Sequence, residues 1–208
     1  MLTFSTGVFR GASVRLFDRR LHIDRTPPTT GVSGIPTGWS KTAVTATLTA
    51  TDALSGAAST EYSLNGGSNW ISGAQPTISA QGISTLLYRS RDTAGNLEAA
   101  QTATVRIDGV RPVTRAFAKV AVKRGKTATL RYRVADVPGA QANVTIKLFN
   151  AAGKLRGTWK AGLVTTNTIL TCSHRCTLAK GAYTWKVYAT DLAGNVQVTP
   201  AGKKLIVK

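Results

Sequence analysis

The sequence is poor in acidic, histidine, cysteine and aromatic residues, and each shortage closes off a class of function. It has 9 Asp and Glu against 27 Lys and Arg, 2 His and 2 Cys, and aromatics make up 7% of the chain. His22 and His174 lie about 150 positions apart, so the trio Cys172, His174 and Cys176 in "CSHRC" falls one ligand short of a structural zinc site. No Ser-His-Asp arrangement supplies both a nucleophile and a base. No Gly-rich phosphate loop is placed between a strand and a helix, and no carboxylate pair stands out from turn aspartates. The chain therefore does not read as an enzyme. No run approaches the roughly 20 apolar residues of a membrane-spanning helix.

What remains is rich in Thr, Val, Ala and Gly, and its charge is unevenly spread. Residues 1–28 carry five basic and two acidic residues, 29–109 carry four and five, and 110–208 carry 18 and two. The last segment therefore holds nearly all of the net charge of +18. Such a segment attracts polyanions through a field that salt screens over about 10 Å. No recognised RNA or DNA module accompanies it, so specific nucleic-acid binding is not expected.

An internal repeat sets the organisation. "DTAGN" at 92–96 and "DLAGN" at 191–195 are 99 residues apart, and Gly82, Thr85 and Leu97 align without a gap on Gly181, Thr184 and Val196. That period is the size of one small β-sandwich. Alternation inside the repeats is that of half-buried strands. In 42–51, Val44, Ala46, Leu48 and Ala50 share one face and four threonines the other, and in 183–191 Tyr183, Trp185, Val187 and Ala189 alternate with polar or half-polar residues. Asn65-Gly66 suits a tight hairpin turn. The reading is all-β, with tandem immunoglobulin-like sandwiches over 24–109 and 110–208. In "VRLFDRRLHI" we read a remnant strand of a preceding repeat within 1–23, because "HIDRTPP" at 22–28 parallels "RIDGVRP" at 106–112. The arginines of Met1–Leu21 interrupt any signal-peptide core, which suggests that an N-terminal part is missing.

The stretch from "PPTTGVSGIPTGW" through "EYSLNGGSNW" to "YRSRDTAGNLE" resembles the bacterial immunoglobulin-like repeats of secreted and cell-surface proteins, over about residues 24–109. Those repeats carry Tyr-Ser-Leu-Asp-Gly-Gly and Asp-x-Ala-Gly-Asn, and Asn65 departs from the first pattern. "CTLAKGAYTWKVYATDLAGNVQ" is similar to C-terminal immunoglobulin-like or fibronectin-III-like modules of actinobacterial exported proteins. Leu178, Gly181 and Tyr183 there fit a tyrosine corner. The resemblance implies a structural, adhesive or accessory role and no reaction.

Several candidate sites follow. Gly95, Asn96, Gly194 and Asn195 belong to bulged loops between the last two strands of each unit, with Asp92 and Asp191 accepting loop N–H groups. In such a sandwich the loop after the second strand lies at the same pole as that last loop. That pole would gather Asp24, Asp52 and Asp92 in the first unit and Asp108, Asp136 and Asp191 at the second, oxygen ligands enough for a weak Ca²⁺ site; no other cofactor is expected. Against this, Arg25, Arg111 and Arg115 are close enough in sequence to neutralise the same groups. Cys172 and Cys176 suit an oxidising compartment, and the expectation is a disulfide across a tight bend over Ser173–Arg175. Lys119, Lys123, Arg124, Lys126, Arg131 and Arg133 form a dense basic cluster. Together these readings describe an exported or cell-surface structural segment, its basic unit holding anionic envelope polymers or glycans. Neighbouring repeats or protein subunits are further partners. A carbohydrate-binding accessory module of a secreted hydrolase, using Trp39, Trp70, Trp159 or Trp185, and a virion or filament protein are the alternatives.

Overall fold

The computed structural model describes residues 23–208, and every regular element among them is a β-strand. No helix of the described residues is long and apolar enough to cross a membrane. The strand read within 1–23 lies outside the described residues, Ile23 excepted. The architecture is a pair of tandem immunoglobulin-like β-sandwiches.

The first sandwich contains β1 (Thr29–Ser33), β2 (Val44–Thr45), β3 (Thr47–Thr51), β4 (Ala57–Ser63), β5 (Ile71–Ser72), β6 (Thr77–Ile78), β7 (Gly82–Asp92) and β8 (Gln101–Ile107). A four-stranded sheet ordered β5-β4-β7-β8 packs against the short pairs β1-β3 and β2-β6. The alternating threonines explain the strand at 44–51. Val44, Ala46 and Leu48 are buried with Ile78, Leu86, Tyr88, Val105 and Ile107, while Thr45, Thr47, Thr49 and Thr51 are exposed. Branched, hydrogen-bonding side chains tolerate that solvent face, and the apolar face drives the closure.

The second sandwich contains β9 (Val113–Ala116), β10 (Val120–Val122), β11 (Thr127–Ala135), β12 (Gln141–Asn150), β13 (Leu155–Thr165), β14 (Ile169–Arg175), β15 (Gly181–Asp191) and β16 (Gly202–Val207). A five-stranded sheet ordered β10-β16-β15-β12-β13 faces a three-stranded sheet, β14-β11-β9. Only β10 and β16 run parallel. Two register shifts along β12 and β13 bend that pair. The core is separate from the first one and larger, centred on Trp185, Tyr132, Leu130, Ile146, Leu148 and Leu205. The expected tyrosine corner is present. Tyr183 Oη donates to the Ala179 carbonyl at 3.0 Å and pins the entry to β15.

β7 and β15 are the same length and end on Asp92 and Asp191, so the pentapeptides close the same loop twice. Gly95 (φ 96°) and Gly194 (φ 84°) take the left-handed conformation that the bulge requires. Each loop also returns to its strand, Arg91 bridging Leu97 and Thr190 bridging Val196.

Candidate functional site

The aspartates that close these loops stand at the entrance of each sandwich. Asp92 Oδ1 accepts the Asn96 N–H at 2.7 Å and Asp191 Oδ1 accepts the Asn195 N–H at 2.7 Å. The Asn side chains then reach across to the incoming chain. Asn96 Nδ2 donates to the Asp24 carbonyl at 3.3 Å and to Asp92 Oδ2 at 2.7 Å. Asn195 Nδ2 donates to the Asp108 carbonyl and to Asp191 Oδ2, both at 2.7 Å. The asparagine thus ties the last hairpin to the chain entering the sandwich, and the incoming aspartate comes to rest beside the loop aspartate.

A third carboxylate joins from the loop after the second long strand of each unit. One oxygen from each of Asp24, Asp52 and Asp92 lies within 4.8 Å of the others, and the same holds for Asp108, Asp136 and Asp191. Among the described residues the only ion pair is Arg89 with Glu61 at 2.6 Å, so neither Arg111 nor Arg115 neutralises the second triad.

The two triads differ in burial and in donors. At the first, Asp24 and Asp52 are half-buried and heavily hydrogen-bonded. Asp52 Oδ1 accepts the N–H groups of Leu54, Ser55 and Gly56 at 3.1, 2.9 and 2.8 Å. Asp24 accepts N–H bonds from Thr26 and Ser55, and hydrogen bonding from Ser55 and Thr26 holds its carboxyl below the usual range. At the second, all three are buried, with Asp108 1% and Asp136 and Asp191 each 3% exposed. Among the described residues, neither oxygen of Asp136 has a hydrogen-bond partner. Burial, with Asp108 and then Asp191 beside it, pushes the Asp136 carboxyl up to about 7; the nearby Val137 N–H opposes this only weakly and makes no hydrogen bond to it. Burial also raises Asp108, against a Val110 N–H bond that lowers it.

Local sequence explains the difference. "DALSG" turns its backbone N–H groups onto Asp52, whereas "DVPGA" places Pro138, which has no N–H, two residues after Asp136. The Asp136 backbone instead pairs with Asn167, whose Oδ1 accepts its N–H at 3.1 Å and whose Nδ2 donates to its carbonyl at 2.6 Å. Gly139 borders the cradle and leaves one side of it open. A methyl group there would collide with Asp136 Oδ2 and lie 2.8 Å from Asp108 Oδ2.

The second triad also lies where the first sandwich ends. Asp108 directly follows β8, and its N–H donates to the Ser40 carbonyl at 2.8 Å. The Gly109 N–H donates to Gln81 Oε1 at 2.7 Å. A methyl group on Gly194 would lie 3.3 Å from Lys41 Cε and 3.4 Å from its Nζ, so the charged end of Lys41 borders this loop.

The basic cluster is divided between the three-stranded sheet and the segments flanking β10, the edge strand of the five-stranded sheet. Arg131 and Arg133 project from the outer face of β11 as their spacing implied. Register adds residues that the linear reading missed. Arg115 stands opposite Arg133 and Arg175 opposite Thr127, and Arg175 Nε donates to the Gly125 carbonyl at 3.1 Å. Lys123, Arg124 and Lys126 are exposed around the turn after β10, where Arg124 N–H donates to the Lys208 carbonyl, and Lys119 is exposed in the loop before β10.

No protein-family model and no curated protein sequence matches the chain. Solved structures similar to the chain include the following two. One is a tetra-tandem repeat from the extending region of a large adhesion protein, 18% identical, with a TM-score of 0.44 over 86% of this chain and 49% of that one. The chain thus spans about half the length of that structure. The other is the CARDB domain of a Pyrococcus furiosus protein in complex with di-metal ions, 16% identical, with a TM-score of 0.29 over 47% of this chain and 87% of that one.

The expected disulfide is corrected. Cys172 and Cys176 are free thiols. No bend forms at Ser173–Arg175, because those residues continue β14 in register with Thr127–Thr129 of β11. Four extended residues separate the Cα atoms by about 13 Å, twice the reach of a disulfide. Leu170 and Cys172 pack inward on the core while His174 stacks on Trp159 at 4.7 Å. None of the four tryptophans is exposed. Trp159 and Trp185 are core, Trp39 is half-buried, and Trp70 lies under the Arg89 guanidinium at 3.8 Å.

Proposed function

We propose that the chain is a non-enzymatic, structural or adhesive segment of an exported protein, and that its second sandwich holds anionic envelope polymers electrostatically. One observation carries the reading: the second sandwich offers no exposed side-chain carboxylate. Its 18 Lys and Arg face two acids, Asp136 and Asp191, and both acids are buried in the triad. Every cation on that surface therefore acts without a local counter-charge, and a polyanion meets attraction from all sides. The outer face of β14-β11-β9 gathers four guanidinium groups, those of Arg115, Arg131, Arg133 and Arg175. Guanidinium groups at fixed spacing suit phosphodiester or carboxylate polymers, which they bind bidentately.

The test is retention on purified wall-type anionic polymer across salt. Binding falls steadily between low salt and a few hundred millimolar, because bound cations displace condensed counter-ions. The double substitution Arg131→Glu with Arg133→Glu weakens binding at low salt by at least about tenfold, roughly 1.4 kcal/mol, and leaves the fold intact. Salt-insensitive binding, or a double variant that binds as wild type does, ends the proposal.

A further inference from the structure

The two acidic triads share a backbone plan and differ in how the middle aspartate is held. Asp52 is held by three loop N–H groups. Asp136, its counterpart, is 3% exposed and lacks a hydrogen-bond partner on either oxygen among the described residues. A buried carboxylate without a partner is costly, and two further carboxylates beside it make ionisation worse. The loop nevertheless aims it at them, and Gly139 keeps the approach open where any side chain would block it.

We propose that Asp108, Asp136 and Asp191 bind Ca²⁺ at the joint between the two sandwiches. All donors are oxygens, which selects a hard cation over zinc or copper. Their spacing, within 4.8 Å, falls inside the span of about 5 Å between ligands on opposite sides of calcium, whose Ca–O distances are 2.3–2.6 Å. Three carboxylates supply up to six oxygens. Asn195 fixes two of the three groups, accepting none of the charge itself but setting Asp191 and the Asp108 backbone in place. The ion answers the charge that the backbone leaves unanswered at Asp136, which is why the first triad does not share the assignment. Because Asp108 directly follows β8, the ion also fastens the end of the first sandwich to two loops of the second. The affinity belongs to the class of extracellular modules, about 0.1–1 mM.

The experiment is calorimetric titration of the full chain with CaCl2 at neutral pH, with melting curves in CaCl2 and in EDTA. Wild type binds calcium and melts about 5 °C or more higher in excess calcium than in EDTA. Asp136→Asn abolishes the heat and the calcium shift, yet melts at or above wild type in EDTA, because it removes the unpaired charge. Gly139→Ala keeps all three carboxylates and loses binding by at least about tenfold, because it fills the cradle. Asp52→Asn retains the calcium response. Identical wild-type melting in CaCl2 and EDTA with no heat of binding overturns the proposal, as does wild-type affinity in both Asp136→Asn and Gly139→Ala.

Discussion

Asp52 and Asp136 occupy equivalent places in successive sandwiches, and only Asp52 is neutralised by its own loop. Three N–H groups converge on Asp52, whereas none reaches Asp136, where Pro138 withholds the first of the three corresponding donors. Pro138 stands where Leu54 donates, and the N–H groups of Gly139 and Ala140, where Ser55 and Gly56 donate, do not reach Asp136 either, so the carboxylate is left bare and buried. Its consequences are measurable without any ligand.

The first prediction concerns pH. In chelator, the folded Asp136 carboxyl titrates at about 7, above its ordinary value of 3.8. Between those values the folded state holds a proton that the unfolded state has released. The associated stability is complete below the unfolded value and is lost as pH rises through about 7. Thermal melts in EDTA therefore fall from pH 5 to pH 8, and Asp136→Asn removes much of that slope. A wild-type melting temperature that is level or rising across this window contradicts the burial of a bare carboxylate.

The second prediction separates the two asparagine ties. Asn195→Ala strips a buried donor from the Asp108 carbonyl and from Asp191 Oδ2, and should cost about 1–3 kcal/mol in chemical denaturation. Asn96→Ala removes the same two bonds where the side chain is only half-buried and one of them is 3.3 Å long. Water replaces part of that loss, so the cost is smaller. Equal costs would show that the two loops are equally covered.

The third concerns the thiols. Alkylation of unfolded, unreduced protein should label both Cys172 and Cys176, and reductant should leave the melting temperature unchanged. In the folded protein Cys172, half-buried, reacts before Cys176, which is wholly buried. A mass two hydrogens lighter than the dithiol, with no label taken up, would restore the disulfide.

Much of the fold was legible because alternation is a local property. Tyr183, Trp185, Val187 and Ala189 needed only the pleat to be placed inside, and the paired "DxAGN" loops needed only a left-handed glycine. The gathering of six aspartates at two poles followed from the topology of a sandwich. The cysteines were misread because compartment chemistry was weighed above the pleat, although Leu170 and Cys172 alternate with Thr171 and Ser173 as any strand does. Arg115 and Arg175 joined the basic face through cross-strand register, which spacing along one strand does not carry. Glu98 went unread because its burial depends on Thr30, 68 positions away, whose N–H and hydroxyl it accepts. The contrast between Asp52 and Asp136 lay in the course of the loop backbone, of which Pro138 is the one part written in the sequence.

The absence of exposed acid on the second sandwich also governs how copies of the molecule meet one another. Two such surfaces offer no complementary charge, so in dilute salt they repel at distances of order the Debye length. Crowded along a shared anionic strand, they would space themselves out like beads on a thread, and the thread alone would bridge them.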